Sequence, residues 1–132
     1  VANETMRLKP VAQFIEEPAE NIEVDGYLFE KGHRLVIQTR IGAINDAYFT
    51  NAKEFNPNRW IAESRCPMHN TDAFMPFGAG PRFCPGRNLA LLEMKMVLSM
   101  LFKNFNLQIV SSTESIEEIL AFTMMQRRTV LN

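Results

Sequence analysis

Residues 77–86 read Phe-Gly-Ala-Gly-Pro-Arg-Phe-Cys-Pro-Gly, and this stretch decides how the rest of the chain is interpreted. Its first two glycines permit positive backbone φ angles or a close approach of the backbone to a flat ligand. Arg82 places a permanent cation two residues before Cys84. Gly86 allows a tight entry into the helix that follows, so Cys84 lies ahead of a helix N-terminus, where an anion is favoured. These features favour a thiolate, the metal-ligating form of cysteine, beneath a large, planar and acidic ligand.

The stretch after Gly86 has the strongest helical pattern in the chain. Leu89, Leu92, Met96 and Met100 recur at three- and four-residue steps, which predicts a long helix over about 87–104. A stripe of this kind, rich in methionine, is more typical of a core than of cofactor contacts. We therefore expect this helix to pack in the interior.

Upstream of the decisive stretch, the pattern predicts short elements. Residues 2–8 are typical of the last turns of a helix that Pro10 ends. Residues 11–16 indicate a short strand, and Ile22 to Gln38 indicates a hairpin whose second strand is Leu-Val-Ile at 35–37. Asn45 to Lys53 is expected to form a short helix.

The remaining segments complete the predicted fold class. Residues 56–83 form a long meander without a sustained period, and a loop of that length in a compact domain usually has a function. The tail predicts strands within 105–109, 120–125 and 129–131. The fold class is therefore α+β, with one long helix, short strands or hairpins, and a long meander that leads into the loop around Cys84.

Composition excludes several classes of partner. The chain has 132 residues and a formal net charge of -1, whereas a nucleic-acid-binding protein needs a dense basic face. No apolar run approaches the about 18 residues that a membrane helix needs. The chain has two cysteines, Cys66 and Cys84, too few for a disulfide scaffold. A single bridge between them is the minor alternative, and a reducing compartment is the simpler expectation.

Three ordered motifs resemble those of one family. Phe77-x-x-Gly80-x-Arg82-x-Cys84-x-Gly86 resembles the haem-binding signature of the cytochrome P-450 family, the haem-thiolate monooxygenases. Glu4-Thr5-Met6-Arg7 resembles the family's Glu-x-x-Arg pair, and residues 55–60, Phe-Asn-Pro-Asn-Arg-Trp, resemble the segment whose arginine joins that pair. The resemblance covers the whole chain but corresponds only to the C-terminal portion of the family's mainly helical fold. We therefore expect residues 1–132 to form a single partial domain, without the N-terminal helices and the distal haem wall.

The resemblance implies a cofactor and a set of residue roles. The cofactor is haem b, iron protoporphyrin IX, with Cys84 as the axial and catalytic metal ligand. Arg82 reaches a haem propionate, and Phe77 packs beside the ligand loop. The other residues implied to contact or accommodate the cofactor are Gly78 and Gly86. A buried charged network that holds the loop beneath the haem is implied for Glu4, Arg7 and Arg59.

The resemblance also implies an activity. Thiolate ligation favours cleavage of the O–O bond, so the parent activity is NAD(P)H- and O2-dependent monooxygenation of an organic substrate. Electrons come from a redox partner, a reductase or ferredoxin, and Arg82, Arg87 and Lys95 are placed to meet an acidic partner surface. Two alternatives stay open. One is a truncated product with haem affinity but no turnover, and the other is a haem-thiolate isomerase or dehydratase of peroxides that needs no external electrons.

Substrate contacts and localisation are less constrained. The substrate-facing stretches implied by the family include Val11, Phe14, Phe122 and Met124, whose apolar character suggests a hydrophobic small molecule. Any membrane anchor or targeting segment would precede Val1, so the sequence leaves open a cytoplasmic or a membrane-associated protein.

Each motif also has an ordinary structural interpretation. A lone cysteine near a helix start is usually a small buried hydrophobe, and Glu4 with Arg7 would by default be a weak surface pair. Cys66 and His69 stand three residues apart but lack the second ligand pair of a zinc site. The sequence departs from the family near residues 16–18, where an arginine often pairs with the second propionate and this chain has Glu-Glu-Pro. His33 is a weak substitute for that arginine.

Overall fold

The computed structural model describes residues 1–61, 71–108, 118–120 and 124–126. Within these residues the α-helices are α1 (Ala2–Leu8), α2 (Thr39–Ala43) and α3 (Arg87–Asn104). The strands are β1 (Phe14–Glu16), β2 (Ile22–Val24), β3 (Tyr27–Phe29), β4 (Leu35–Ile37), β5 (Glu118–Leu120) and β6 (Met124–Gln126). Short 3₁₀ helices cover Pro57–Trp60, Thr71–Ala73 and Gly80–Arg82. The mixture of helices and small sheets confirms the predicted α+β class.

Helix α1 confirms the helix expected at residues 2–8. Glu4 lies in its first turn and Arg7 in its last, which suits the helix dipole. The helix ends at Leu8 with Lys9 as its C-cap, since Pro10 follows and disfavours a helical conformation at the residue before it. Its buried residues are Glu4, Met6 and Arg7, so this short helix turns charged as well as apolar side chains inward.

The strands pair differently from the expected hairpin. Strand β2 pairs with β3, with Ile22 opposite Phe29, through a two-residue turn in which both Asp25 and Gly26 have positive φ. Such a turn matches the twist of adjacent strands and joins them with a connection of only two residues. Strand β4 pairs instead with β1, with Phe14 opposite Ile37, so the prediction that residues 35–37 complete the hairpin was wrong.

The expected helix over Asn45 to Lys53 is also wrong, because the structure has turns there and places α2 just before them. Asn45 Oδ1 accepts the Ala47 N–H at 2.9 Å, and Asp46 Oδ1 accepts the Ala52 N–H at 2.8 Å. These side-chain acceptors compete with helical backbone bonding. Asn51 has a φ of 49°, which breaks any helix at that point.

The core is small and lies around α1, α2 and the turns that follow. Its buried apolar residues are Met6, Ala43, Phe49 and Ala52. Three buried charged residues, Glu4, Arg7 and Arg59, lie in the same region. The interior of the described chain is therefore built around a charged cluster.

Helix α3 confirms the predicted span but not the predicted packing. It runs over 18 residues, and none of them is buried. The apolar stripe is open to solvent, with Leu89 60%, Leu92 55% and Met96 62% exposed. The helix thus has the apolar sequence of an interior helix, and no other described residues bury it.

The tail contains a further pair of strands. Strand β5 pairs with β6 in antiparallel register, with Leu120 opposite Met124. This pair divides the strand expected over 120–125 into two. The described part of the expected 105–109 strand, residues 105–108, is not in a strand, and residues 129–131 lie outside the described chain.

Candidate functional site

The loop that carries Cys84 is closed by its own backbone. The Cys84 N–H donates to the carbonyl oxygen of Phe77 at 2.8 Å, across the loop. Within the loop, the Phe83 N–H donates to the Gly80 carbonyl at 3.2 Å, and the Arg87 N–H donates to the Cys84 carbonyl at 3.3 Å. The last of these bonds ties the cysteine to the start of α3. The cysteine is therefore fixed at both its N–H and its C=O.

Glycine is required at two positions of this loop. Gly78 has a φ of 76° and Gly80 a φ of 65°, a region that other residues rarely adopt. A Cβ at position 78 would also lie 3.2 Å from Cε1 of Phe14. Phe14, predicted to face the substrate, thus packs its ring directly against the loop from strand β1.

The thiol of Cys84 is free and half-buried. A Cβ built on Gly86 would lie 3.7 Å from the Cys84 Sγ, so the absence of a side chain there keeps the space beside the sulfur open. Gly86 is the N-cap of α3 and supplies no side-chain cap. The first N–H groups of this long helix therefore lie just beyond the cysteine without a capping side chain.

Arg82 lines a cavity of about 310 Å³ between the loop and the β1–β4 sheet. The other lining residues are Phe14, Glu16, Ile37, Met75, Gly78, Ala79 and Pro81. The Arg82 side chain is exposed and makes no ion pair with another described residue. Its guanidinium is free to receive an anionic group, whereas Glu16 places a carboxylate on the same cavity.

A second cavity, of about 290 Å³, lies on another side of the loop. Its walls combine α1, the segment before the loop and the start of α3, through Asn3, Met6, Phe74, Met75, Pro76, Phe77, Gly78, Phe83, Arg87 and Leu91. Phe77, the first residue of the loop, thus forms part of the wall of this cavity.

The Glu4 carboxylate is the centre of a buried hydrogen-bonded network. Its Oε1 accepts from Arg7 Nη2 at 2.8 Å, from the Asn56 backbone N–H at 2.9 Å and from Arg59 Nε at 3.0 Å. Its Oε2 accepts from Arg7 Nε at 2.9 Å and from the indole Nε1 of Trp60 at 2.9 Å. The carboxylate has no exposed surface, so these five bonds replace its hydration.

Both arginines of the network are also held by backbone carbonyls. Besides Glu4, Arg7 donates to the carbonyl oxygens of Ala43, Ala52 and Glu54, which uses all five of its N–H groups. Its guanidinium carbon lies 5.3 Å from the centre of the Phe49 ring. The network therefore fastens α1 to α2 and to the turns before residue 55.

Arg59 is 5% exposed and comes from a different part of the chain. In addition to Glu4, it donates to the carbonyl oxygens of Thr50 at 3.0 Å and of Asn51 at 3.4 Å. The 3₁₀ helix that carries it is capped by Asn56, whose side chain accepts the Asn58 N–H. The structure thus brings together the three residues Glu4, Arg7 and Arg59 that the sequence grouped.

The network determines the charge state of Glu4. Burial by itself raises the pKa of this carboxyl, since it penalises the charged form. The hydrogen bonds from Arg7, Asn56, Trp60 and Arg59 more than offset burial, and they lower the pKa from the ordinary 4.5 to about 2. Glu4 is therefore ionised at neutral pH and compensates two buried cations.

Trp60 is a member of the network that sequence reasoning missed. Its indole N–H donates to Glu4, and its ring lies 4.5 Å from the ring of Phe74, tilted by 53°. The signal was available, because a tryptophan directly after Arg59 carries a donor that needs an acceptor when it is covered.

Two other predicted residues, Val11 and His33, line neither of these two cavities. Val11 is 58% exposed, Met124 begins β6, and Phe122 lies outside the described residues. His33 is absent from the cavity of Arg82. Its Nδ1 accepts the Glu30 N–H at 3.3 Å, and its Nε2 lies 3.7 Å from the Glu30 carboxylate.

Two negative findings concern the described residues alone. Cys66 and His69 lie outside them, and inside them no three His, Cys, Asp or Glu residues come together as a metal site would require. No described helix has both the length and the apolar character needed to cross a membrane.

Comparison with protein families gives one match along the entire chain. The family model described as Cytochrome P450 matches residues 1–132. Beta-amyrin 11-oxidase of Glycyrrhiza uralensis is 36% identical over 111 residues, which cover 82% of this chain and 21% of that protein. Cytochrome P450 3A15 of Cavia porcellus is 38% identical over 109 residues, which cover 80% of this chain and 21% of that protein. The chain thus spans about a fifth of the length of these relatives.

A solved structure supports the same relationship. The cytochrome P450DA heme domain superposes with a TM-score of 0.82 at 26% sequence identity, over 94% of this chain and 28% of that chain. The backbone of this chain therefore follows the fold of part of a cytochrome P450 heme domain.

Proposed function

Because the chain belongs to the cytochrome P450 family, we propose that it binds haem b through the thiolate of Cys84. We propose that this site serves the O2-dependent monooxygenation of a hydrophobic organic substrate, with electrons from NAD(P)H delivered by a redox partner. The observation that carries the proposal is the Cys84 loop, in which a free thiol is fixed by backbone bonds ahead of α3 and faces no side chain at Gly86.

The residues around the loop fit a planar cofactor with two carboxylates. Gly86 leaves the space beside the sulfur open, and Gly78 and Gly80 keep the backbone free of Cβ atoms. Arg82, unpaired among the described residues, is suited to one propionate. Glu16 lines the same cavity, and among the described residues that line it Arg82 is the one cation.

The chain's own part in the chemistry is to hold the ligand. When bound, haem with a thiolate ligand supplies activation of O2, because the thiolate donates electron density that favours O–O cleavage. The Phe77 carbonyl and the start of α3 hold Cys84 in place. Glu4, Arg7 and Arg59 stabilise the core. Helix α1 belongs to that core and also forms one wall of the cavity beside Phe77.

We further propose that residues 1–132 form the proximal part of the haem site. The open apolar stripe of α3 supports this placement, because a helix of that composition is stable in an interior. The exposed cations Arg82, Arg87 and Lys95 lie on or beside α3 and suit an acidic redox partner. One relative's name, beta-amyrin 11-oxidase, denotes oxidation of an organic substrate and supports the same reaction class.

The proposal is tested by the ferrous carbon monoxide complex. The purified chain is mixed with haem, reduced and exposed to carbon monoxide, and thiolate ligation is expected to shift the Soret band strongly to the red. Cys84→Ser should abolish that shift, whereas Cys66→Ser, which changes the other cysteine, should retain it. A shifted band that survives Cys84→Ser, or that Cys66→Ser removes, would assign the ligand elsewhere.

The reaction class needs a separate measurement. The loaded protein is incubated with a hydrophobic substrate, a reductant and O2, and in parallel with an organic hydroperoxide alone. Oxygen transfer to the substrate that depends on reductant supports monooxygenation. The opposite result is rearrangement or dehydration of the hydroperoxide without reductant, together with no reductant-dependent oxygenation. That result would replace the proposed monooxygenation by an isomerase or dehydratase activity.

A further inference from the structure

Trp60 contacts both the Glu4 carboxylate and the ring of Phe74, which lies in the segment before the cysteine loop. On one edge its indole N–H donates to Oε2 of Glu4 at 2.9 Å. Without that bond, Oε2 would keep one donor, the Nε of Arg7. A hydrogen bond to a charged and fully buried carboxylate is among the stronger ones in proteins.

The indole ring also packs against the segment that enters the cysteine loop. The Trp60 and Phe74 ring centroids lie 4.5 Å apart, at the near end of the range for favourable aromatic pairs. Residues 74–77 are consecutive wall residues of the cavity of about 290 Å³, and Pro76 stiffens them. The segment ends at Phe77, whose carbonyl accepts the Cys84 N–H at 2.8 Å.

We propose that Trp60 is a positioning residue that couples the Glu4 network to the cysteine loop. The N–H bond to Glu4 sets the orientation of the indole ring, and the ring holds Phe74 and therefore the Phe77 carbonyl that anchors Cys84. The coupling concerns the loop itself, and it bears on catalysis only through the proposed function, in which Cys84 ligates haem.

Two properties of the arrangement support this coupling over simple packing. A phenylalanine at position 60 would fill most of the same space but could not donate a hydrogen bond to the buried carboxylate. The specific feature of the tryptophan is therefore its indole N–H. The segment is also short, since only Met75 and Pro76 separate Phe74 from Phe77. A shift of the Phe74 ring is therefore transmitted over few rotatable bonds.

The test is amide hydrogen exchange in the protein without haem. Trp60→Phe keeps an aromatic ring against Phe74 and removes the N–H bond to Glu4. We expect the Cys84 amide to exchange roughly tenfold faster, which corresponds to about 1.4 kcal/mol, because a hydrogen bond to a charged group is lost. The Ala90 amide, which donates to Gly86 inside α3, is the internal reference and should change less.

Controls separate coupling from general loosening. Tyr27→Phe removes a polar group from an aromatic residue that is 69% exposed, and it should leave both amides unchanged. Phe74→Leu should accelerate Cys84 exchange, and the double variant Trp60→Phe with Phe74→Leu should add little to either single change. If Trp60→Phe does not fold, Phe74→Leu alone still tests whether this contact anchors the loop.

Defined results would overturn the coupling. Equal acceleration at Cys84 and Ala90 would reduce Trp60 to a general stabiliser, and additive effects of the two substitutions would show that the contacts act separately. An unchanged Cys84 amide in Phe74→Leu would remove the second link. Because exchange is measured without haem, a failed carbon monoxide test would leave this result standing.

Discussion

Glu4 Oε1 and Arg59 Nε lie 3.0 Å apart, although 55 residues separate them in the sequence. Both side chains are buried, so each charge depends on the other for compensation. The contact joins α1 to the 3₁₀ helix Pro57–Trp60, and Arg7 extends it to the turns between them. The Glu4 carboxylate thus holds distant segments of the chain together in the interior of the described structure.

The first prediction concerns the loss of that carboxylate. Glu4→Gln keeps the size of the side chain but leaves the guanidinium groups of Arg7 and Arg59 buried without a negative partner. We expect a loss of about 3–5 kcal/mol in the free energy of unfolding, the usual cost of breaking a buried ion pair. Urea denaturation at neutral pH measures it. Glu23→Gln, at an exposed position of β2, is the matched control and should change the free energy of unfolding little. Equal losses of stability in Glu4→Gln and Glu23→Gln would contradict the role of Glu4.

The second prediction concerns acid. Glu4 has a folded pKa of about 2 against an ordinary 4.5, so its contribution is complete above the ordinary value and is lost as the pH falls toward the folded value. The difference corresponds to about 3 kcal/mol. Urea denaturation is repeated at decreasing pH with the unmodified chain and with Glu4→Gln. The stability gap between them should narrow as the pH falls from about 4.5 toward 2, and a constant gap would refute the assignment.

The third prediction uses two loop glycines as a matched pair. Gly78→Ala and Gly80→Ala each place a Cβ at positive φ, which costs roughly 1–2 kcal/mol. Only Gly78→Ala also brings a Cβ to 3.2 Å from the Phe14 ring, while a Cβ at Gly80 meets nothing within 4 Å. Gly78→Ala should therefore lower the unfolding free energy more, as thermal or urea denaturation would show.

A second substitution, Phe14→Leu, tests whether the Phe14 ring causes the excess cost of Gly78→Ala. Phe14→Leu should reduce the excess cost of Gly78→Ala and leave the cost of Gly80→Ala unchanged, because only the former has a Phe14 contact. If Phe14→Leu affects the two alanine variants equally, the ring of Phe14 does not pack on the loop as the structure places it.

The sequence allowed the local elements and the motif residues to be predicted. Helix α3 follows from its apolar repeat, and the family resemblance groups Glu4, Arg7 and Arg59, which the structure brings into contact. Strand pairing was harder to predict, because the short apolar pattern of β4 does not specify which strand it pairs with. The Asp25–Gly26 turn closes the β2–β3 hairpin locally and leaves β4 to pair with β1.

Tertiary contacts explain what the sequence pattern missed. The indole of Trp60 reaches Glu4 from 56 residues away, and no periodicity reports such a distance. Phe14 has an apolar strand position that suits a substrate contact equally well, and only its approach to Gly78 assigns it to the loop. The open stripe of α3 likewise follows from what surrounds the helix, which its own sequence does not encode.

The last prediction tests the anion site beside the loop. Arg82→Gln removes the guanidinium from the cavity that Glu16 also lines. We expect haem to bind roughly tenfold more weakly, since the proposed charge-assisted hydrogen bond to a propionate would be lost. Titration of the Soret absorbance measures the affinity. Arg34→Gln removes an exposed arginine outside that cavity and is the matched control for net charge. Glu16→Gln should act in the opposite direction, because it removes a carboxylate that repels the propionate. Equal weakening by Arg82→Gln and Arg34→Gln would mean that net charge, and no specific contact with Arg82, governs haem binding.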